Sequence, residues 1–277
     1  MEERLDWIKL EPQAWLHAEP LKGGIQIHDI LTRRYKGIEY FLDIVDVEHR
    51  KEAAKLIAKP WWSPARWTAS KPVMAPLGAE SLPTDSGFQM VWANMALHMS
   101  AQPQALIARW HQALAVDGFL MFSCLGPDSL KELRPLYAAQ GWGEPAHAFT
   151  DMHDWGDMLV AQGFAEPVLD MERITLTYET PEKLLQDLRS LGRNLNGGRF
   201  RALRGRGWYQ KLKQALAHDL ADPFENGRLK LTFEVIYGHA LKPARKLAVT
   251  PQLELSLDDM RRALKSGRLP DAAKGRP

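Results

Sequence analysis

The segment WLHAEPLKGG, residues 15–24, runs an apolar stretch into a glycine pair, Gly23 and Gly24, and the amphipathic IQIHDILTRRY follows at once. A strand, a glycine turn and a helix are the layout with which α/β proteins hold a cofactor, because backbone N–H groups and the helix N-terminus face the ligand. Here the glycines are adjacent, not interleaved, and Glu19 and Pro20 stand just before them. A second group is cationic: Arg189, Arg193, Arg199, Arg201, Arg204 and Arg206 crowd the segment ahead of and into Trp208 and Tyr209. Such a run is a solvated linker, a surface that steers an acidic partner, or a face for phosphates and stacked bases. No RNA-binding motif accompanies it, so nucleic acid is not the expected partner. In HAFTDMHD, His147, Asp151, His153 and Asp154 lie close together, but Thr150 or Asp151 reads as a helix N-cap before it reads as a metal ligand. No metal site is expected. Cys124 lies in an apolar run and reads as a small core residue, and GPDSLKELR holds a serine without a nucleophile elbow.

The frame around these residues is an ordinary globular one. A chain of 277 residues with 45% hydrophobic residues supplies a sizeable core, and 36 Lys and Arg against 34 Asp and Glu leave a net charge of +2. No global field therefore draws it to nucleic acid. A single cysteine excludes an internal disulfide and suits a reducing compartment. No apolar run approaches the ~18 residues of a membrane span, and MEERLDWIKLEP lacks a signal-peptide core, so a soluble, cytoplasmic protein is expected.

The elements that must position these groups alternate. IEYFLDIVD (38–46) reads as a strand and VEHRKEAAKLIA as a helix, while KPWWSPARWTASKP reads as an irregular loop. FQMVWANMALHM (88–99) opens as a strand, PQALIARWHQAL (103–114) is helical, and DGFLMFSCLG (117–126) is a turn followed by a buried strand. With DMHDWGDMLVAQGF and PVLDMERITLTY the first 180 or so residues imply a mostly parallel sheet covered on both faces. After Tyr178 the chain becomes helical and basic (179–227), and LKLTFEVIYGHAL closes the globular part as a strand. One domain over 1–243 is expected, followed by a flexible tail over 244–277 with one helix at 256–266.

At the level of whole phrases, FQMVWANMALHMS, WHQALAVDGFLMFSCLGPDSLKELR, TDMHDWGDMLVAQGFAEPVLDMERITLTY and LTFEVIYGHALKP resemble class I S-adenosylmethionine-dependent methyltransferases, and within them the malonyl-acyl-carrier-protein O-methyltransferases of biotin synthesis. The resemblance runs in order over about residues 4 to 243. It implies a Rossmann-like sheet of seven strands, six parallel and the last antiparallel, with a helical cap inserted before the last strand. It implies S-adenosylmethionine at the carboxyl ends of the first strands and an acyl carrier protein, which is acidic, as partner of the basic cap. An arginine there would pair the free malonyl carboxylate.

The same resemblance implies roles for single residues. The family's Asp-x-Gly-x-Gly-x-Gly loop falls on His17, Glu19, Leu21 and Gly23, so only Gly23 keeps its type. Asp43 or Asp46 would accept from the ribose hydroxyls, and Gly78, beside Ala79 and Glu80, falls at the adenine-side acid, with Ala79 counted among the cofactor-side positions. Asn94 falls beside the methyl-transfer site, with a turn or capping role as the equal alternative. A helical segment before the first strand, which closes over the cofactor in the family, is short or absent here. Two outcomes follow: a pseudoenzyme with an interaction or regulatory role whose cofactor binding is weakened or lost, or an active carboxyl O-methyltransferase.

Overall fold

The computed structural model describes residues 1–35, 39–44, 46–58, 61–62, 73–75 and 87–244. Residues Met1–Pro243 form one compact unit. The expected tail helix, most of the loop over KPWWSPARWTASKP, and Ala79 with Gly78 and Glu80 lie outside the described residues.

The strands are β1 (Ala14–Ala18), β2 (Glu39–Asp43), β3 (Val73–Ala75), β4 (Phe88–Ala93), β5 (Leu114–Leu125), β6 (Ala165–Tyr178), β7 (Ala221–Asp222) and β8 (Arg228–Leu241). The helices are α1 (Pro20–Gly23), α2 (Gln26–Arg34), α3 (Val47–Ile57), α4 (Pro103–Ala113), α5 (Leu133–Ala139), α6 (Met152–Ala161), α7 (Pro181–Ser190) and α8 (Arg206–Asp219). The sheet order is β3-β2-β1-β4-β5-β8-β6, with β1 to β5 parallel and β8 antiparallel to both its neighbours. That is the expected seven-stranded arrangement, with the two-residue β7 added against β8. Strand order reverses between β1 and β4, and open α/β sheets bind ligands at the carboxyl ends of strands beside such a reversal.

Two apolar layers sandwich the middle of the sheet. On one face Leu16, Val91, Leu120 and Phe122 pack against Trp110 of α4 and Trp155 of α6. On the other, Trp15, Met90, Trp92 and Phe119 pack against Leu31 of α2 and Leu5 of a short 3-10 helix, Glu2–Trp7. Coverage on both faces is why β4 and β5 read as continuous apolar runs.

Three expectations need correction. β5 starts at Leu114, ahead of the turn: Asp117 takes a left-handed conformation (φ 61°) and the register against β4 shifts between Phe88 and Met90, so the turn is a kink within the strand. β6 is not covered on both faces. It is the outermost strand, and its charged Glu166, Asp170, Glu172 and Arg173 are largely exposed, as suits an unpaired edge. The cap is two helices, α7 and α8, joined by a non-helical stretch over 191–205, where Gly192, Gly197, Gly198 and Gly205 oppose helix formation. Leu184, Leu212 and Leu216 of the cap pack on Leu229, Leu231 and Phe233 of β8.

Candidate functional site

The chain leaves β1 at Ala18 and turns at Glu19, whose backbone is left-handed (φ 46°, ψ 54°). A side chain at such a position costs on the order of 1 kcal/mol or more, which glycine escapes. Glu19 is held there because its N–H donates to the Asp43 carbonyl at the end of β2 (2.9 Å) and its carbonyl accepts from Lys22 and Gly23 N–H groups (3.0 and 3.2 Å). Its carboxylate pairs with Lys22 Nζ at 3.3 Å. Leu21 faces inward, packed beside Leu42, Ile44 and Ala53.

Gly23 meets the end of β4. A Cβ there would overlap the Asn94 carbonyl oxygen and lie 3.0 Å from Asn94 Cβ, so only a bare backbone fits. The Asn94 amide Nδ2 donates to the Gly23 carbonyl, and its Oδ1 accepts from Ser123 Oγ of β5 at 2.6 Å. Met95 N–H in turn donates to Ser123 Oγ at 3.2 Å. Asn94 therefore ties the first loop to β4 and β5. Replacing Gly23 by alanine is expected to destabilise the fold by about 1–3 kcal/mol, because the clash is with backbone that cannot yield without breaking this tie. Urea unfolding of the variant checks it.

The remaining cofactor-side residues divide. Asp43 is buried at the carboxyl end of β2. Asp46 caps α3, accepting from Glu48 and His49 N–H groups at 2.8 and 3.0 Å, and those bonds hold its carboxyl below the usual carboxylate range. His17 is not at the edge at all. It lies fully buried in β1 between Leu42 and Trp92 of the flanking strands, with its ring stacked on His28 at 5.7 Å. Among the described residues neither ring nitrogen of His17 has a hydrogen-bond partner. Burial first, then the neighbouring His28, lowers its pKa well below the ordinary imidazole value, so it stands neutral.

Beyond Asn94 the chain enters a second site, a cavity of about 320 Å³ beneath the cap. His98, Met99 and Leu125 form its wall on the sheet side, and Leu188, Trp208 and Tyr209 form the cap side. His98 Nδ1 accepts from Leu125 N–H at 3.3 Å, its carbonyl lies 3.0 Å from His147 Nε2, and the two rings stack at 6.4 Å. Burial, with His147 adding, lowers the His98 pKa to about 4.

The six arginines of the basic segment do not act as one patch. Arg189 and Arg193 line the cavity and are exposed. Arg204 lies between the Phe200 and Trp208 rings (4.3 and 4.2 Å) and donates to the Trp142 carbonyl, so it holds the cap together. Arg199 donates to the Asn196 carbonyl at 3.0 Å within its own loop. Arg201 and Arg206 are exposed. Ser123 and the His98–His147 pair are not legible in the sequence, since a serine in an apolar strand and two histidines 49 residues apart carry no local signal.

The other candidates have structural roles. Asp151 caps α6, accepting from His153 N–H at 2.8 Å. Burial raises the Cys124 thiol to about 12. Among the described residues no group of three or more His, Cys, Asp and Glu could hold a metal ion, and no helix is long and apolar enough to cross a membrane.

No family model matches the chain. It is 39% identical over 254 residues to a malonyl-[acyl-carrier protein] O-methyltransferase of Gallionella capsiferriformans, an alignment covering 89% of this chain and 83% of the relative. The protein of the same name from Methylovorus sp. is 36% identical over 254 residues, covering 90% and 82%. That of Laribacter hongkongensis is 44% identical over 183 residues, covering 65% of this chain and only 60% of the relative. Among solved structures, a candidate methyltransferase of Bacillus halodurans superposes with a TM-score of 0.58 at 17% identity, covering 88% of this chain and 98% of the other. At that identity the likeness speaks for the fold alone.

Proposed function

The chain belongs to the malonyl-[acyl-carrier protein] O-methyltransferase family, and from that premise we propose that it receives an acyl group from an acyl carrier protein under its cap while binding S-adenosylmethionine weakly or not at all. The observation that carries the second half is Glu19. Its carboxylate, paired to Lys22, stands on a left-handed turn, and the resemblance aligns that turn with the loop whose bare backbone meets the methionine carboxylate of the cofactor. The pair with Lys22 offsets only part of the repulsion between this carboxylate and the cofactor's own, and desolvating both costs more. Leu21 is committed to the core and the Asn94 amide to Gly23, so neither is free to compensate. The residues present therefore fit the cofactor poorly.

The active reading keeps one observation in its favour. Glu19 still adopts the left-handed turn, and Gly23 still approaches Asn94 too closely for a side chain, so the backbone path of a cradle survives. A carboxylate is already a nucleophile at neutral pH, so such an enzyme would need positioning more than acid–base groups. Calorimetric titration with S-adenosylmethionine and S-adenosylhomocysteine separates the two readings. Absence of heat at millimolar ligand upholds the proposal, and micromolar binding overturns it.

For the partner, the cavity mouth supplies the cations. Exchanging Arg189 and Arg193 for Gln is expected to slow association with malonyl-loaded acyl carrier protein by roughly tenfold at low ionic strength and to flatten its salt dependence. Stopped-flow measurement over a salt series checks it, and unchanged rates would remove these two arginines from the docking surface.

A further inference from the structure

The chamber under the cap is larger and more apolar than a three-carbon malonyl group requires. Its volume is about 320 Å³, whereas an apolar cavity of ~150 Å³ already holds a benzene ring. Leu125, Leu130, Leu133, Leu185, Leu188 and Phe233 are among the apolar residues that line it. The one imidazole pair on its wall brings no cation from His98, which burial keeps neutral at ordinary pH. The Lys, Arg, Asp and Glu side chains that line it are Arg189 and Arg193 alone, both exposed, and among the described residues neither has a carboxylate partner. An apolar chamber with cations placed only there suits a ligand with an aliphatic tail and an anionic end.

We infer that this chamber binds a medium-chain aliphatic carboxylate of roughly eight carbons, its tail among the leucines and Phe233 and its carboxylate at Arg189 and Arg193. The inference goes beyond the carrier-protein reading of the same site: a carrier-bound acyl group is a thioester with no carboxylate at its carrier end, so the ligand here is the free acid. Free carboxylate is expected to bind without any carrier.

The test is a titration of the full chain with malonate, butyrate, hexanoate and octanoate. Each added methylene that enters the chamber should tighten binding about fourfold, so octanoate should bind at least a hundredfold more tightly than butyrate. Arg189→Gln with Arg193→Gln should weaken octanoate about tenfold and leave octanol unchanged, which a purely structural role would not do. Leu188→Trp should fill the chamber and abolish octanoate binding with the circular dichroism spectrum intact. Should that variant unfold, the length series on the wild-type chain decides alone. No gain with length, a preference for malonate, or no octanoate binding at millimolar concentration overturns the inference. Octanoate binding without carrier-protein binding would sink the proposed function and leave this inference standing, and the reverse would sink this inference alone.

Discussion

Replacing Glu19 by glycine is expected to tighten S-adenosylmethionine binding by about tenfold to a hundredfold, taking an interaction at or below the detection limit of calorimetry into the measurable range. Two effects act together. Removing the carboxylate lifts a like-charge contact with the cofactor's own carboxylate, worth on the order of 1–3 kcal/mol in a partly desolvated turn. Glycine also adopts φ near +46° without the cost that Glu19 bears there. The second effect is smaller in the unbound protein, because glycine gains entropy on unfolding, so stability should change by less than about 1 kcal/mol. Titrations of the wild type and the variant, each beside its unfolding curve, check this. An unchanged affinity at unchanged stability would mean that Glu19 is not what weakens the site, and micromolar affinity of the wild type would mean that nothing does.

Acid should destabilise the protein well before its exposed carboxylates protonate. His98 is held neutral, its pKa lowered to about 4 by burial, and His17 is shifted in the same direction by deeper burial. An unfolded chain protonates both near the ordinary imidazole value of about 6.5, so between that pH and the folded values it binds more protons than the native state. Stability is therefore full above about pH 6.5 and is lost as pH falls toward 4. His98 alone accounts for a loss on the order of 3 kcal/mol across that window. Denaturant unfolding at pH 7, 6, 5 and 4 measures the slope, and His98→Gln should flatten it. An equal slope in that variant would place the acid sensitivity elsewhere.

Local patterns in the sequence report local burial, and where that is all a role requires, the reading holds. The continuous apolar runs of β4 and β5 specify strands covered on both faces, and the Asp151 cap follows from one acid ahead of a helical repeat. The ordered phrases from FQMVWANMALHMS to LTFEVIYGHALKP were enough to indicate the family and, with it, the strand order. Ends of strands and the members of a site are another matter. Whether His17 faces a ligand or the core depends on how far β1 extends before it turns and on what α2 lays over it, and α2 lays His28 there. Asn94 becomes a tie only because β1, β4 and β5 stand side by side. That brings it to Gly23, 71 residues away, and to Ser123, 29 residues away. The arginine run looks uniform as a string, but helix α8 turns Trp208 toward Arg204 while α7 and the loop after it carry Arg189 and Arg193 to the cavity. Periodicity along a chain fixes which face of an element is buried. Register and crossover between elements, set by the packing of the whole sheet, fix which side chains meet, and the candidate site consists of such meetings.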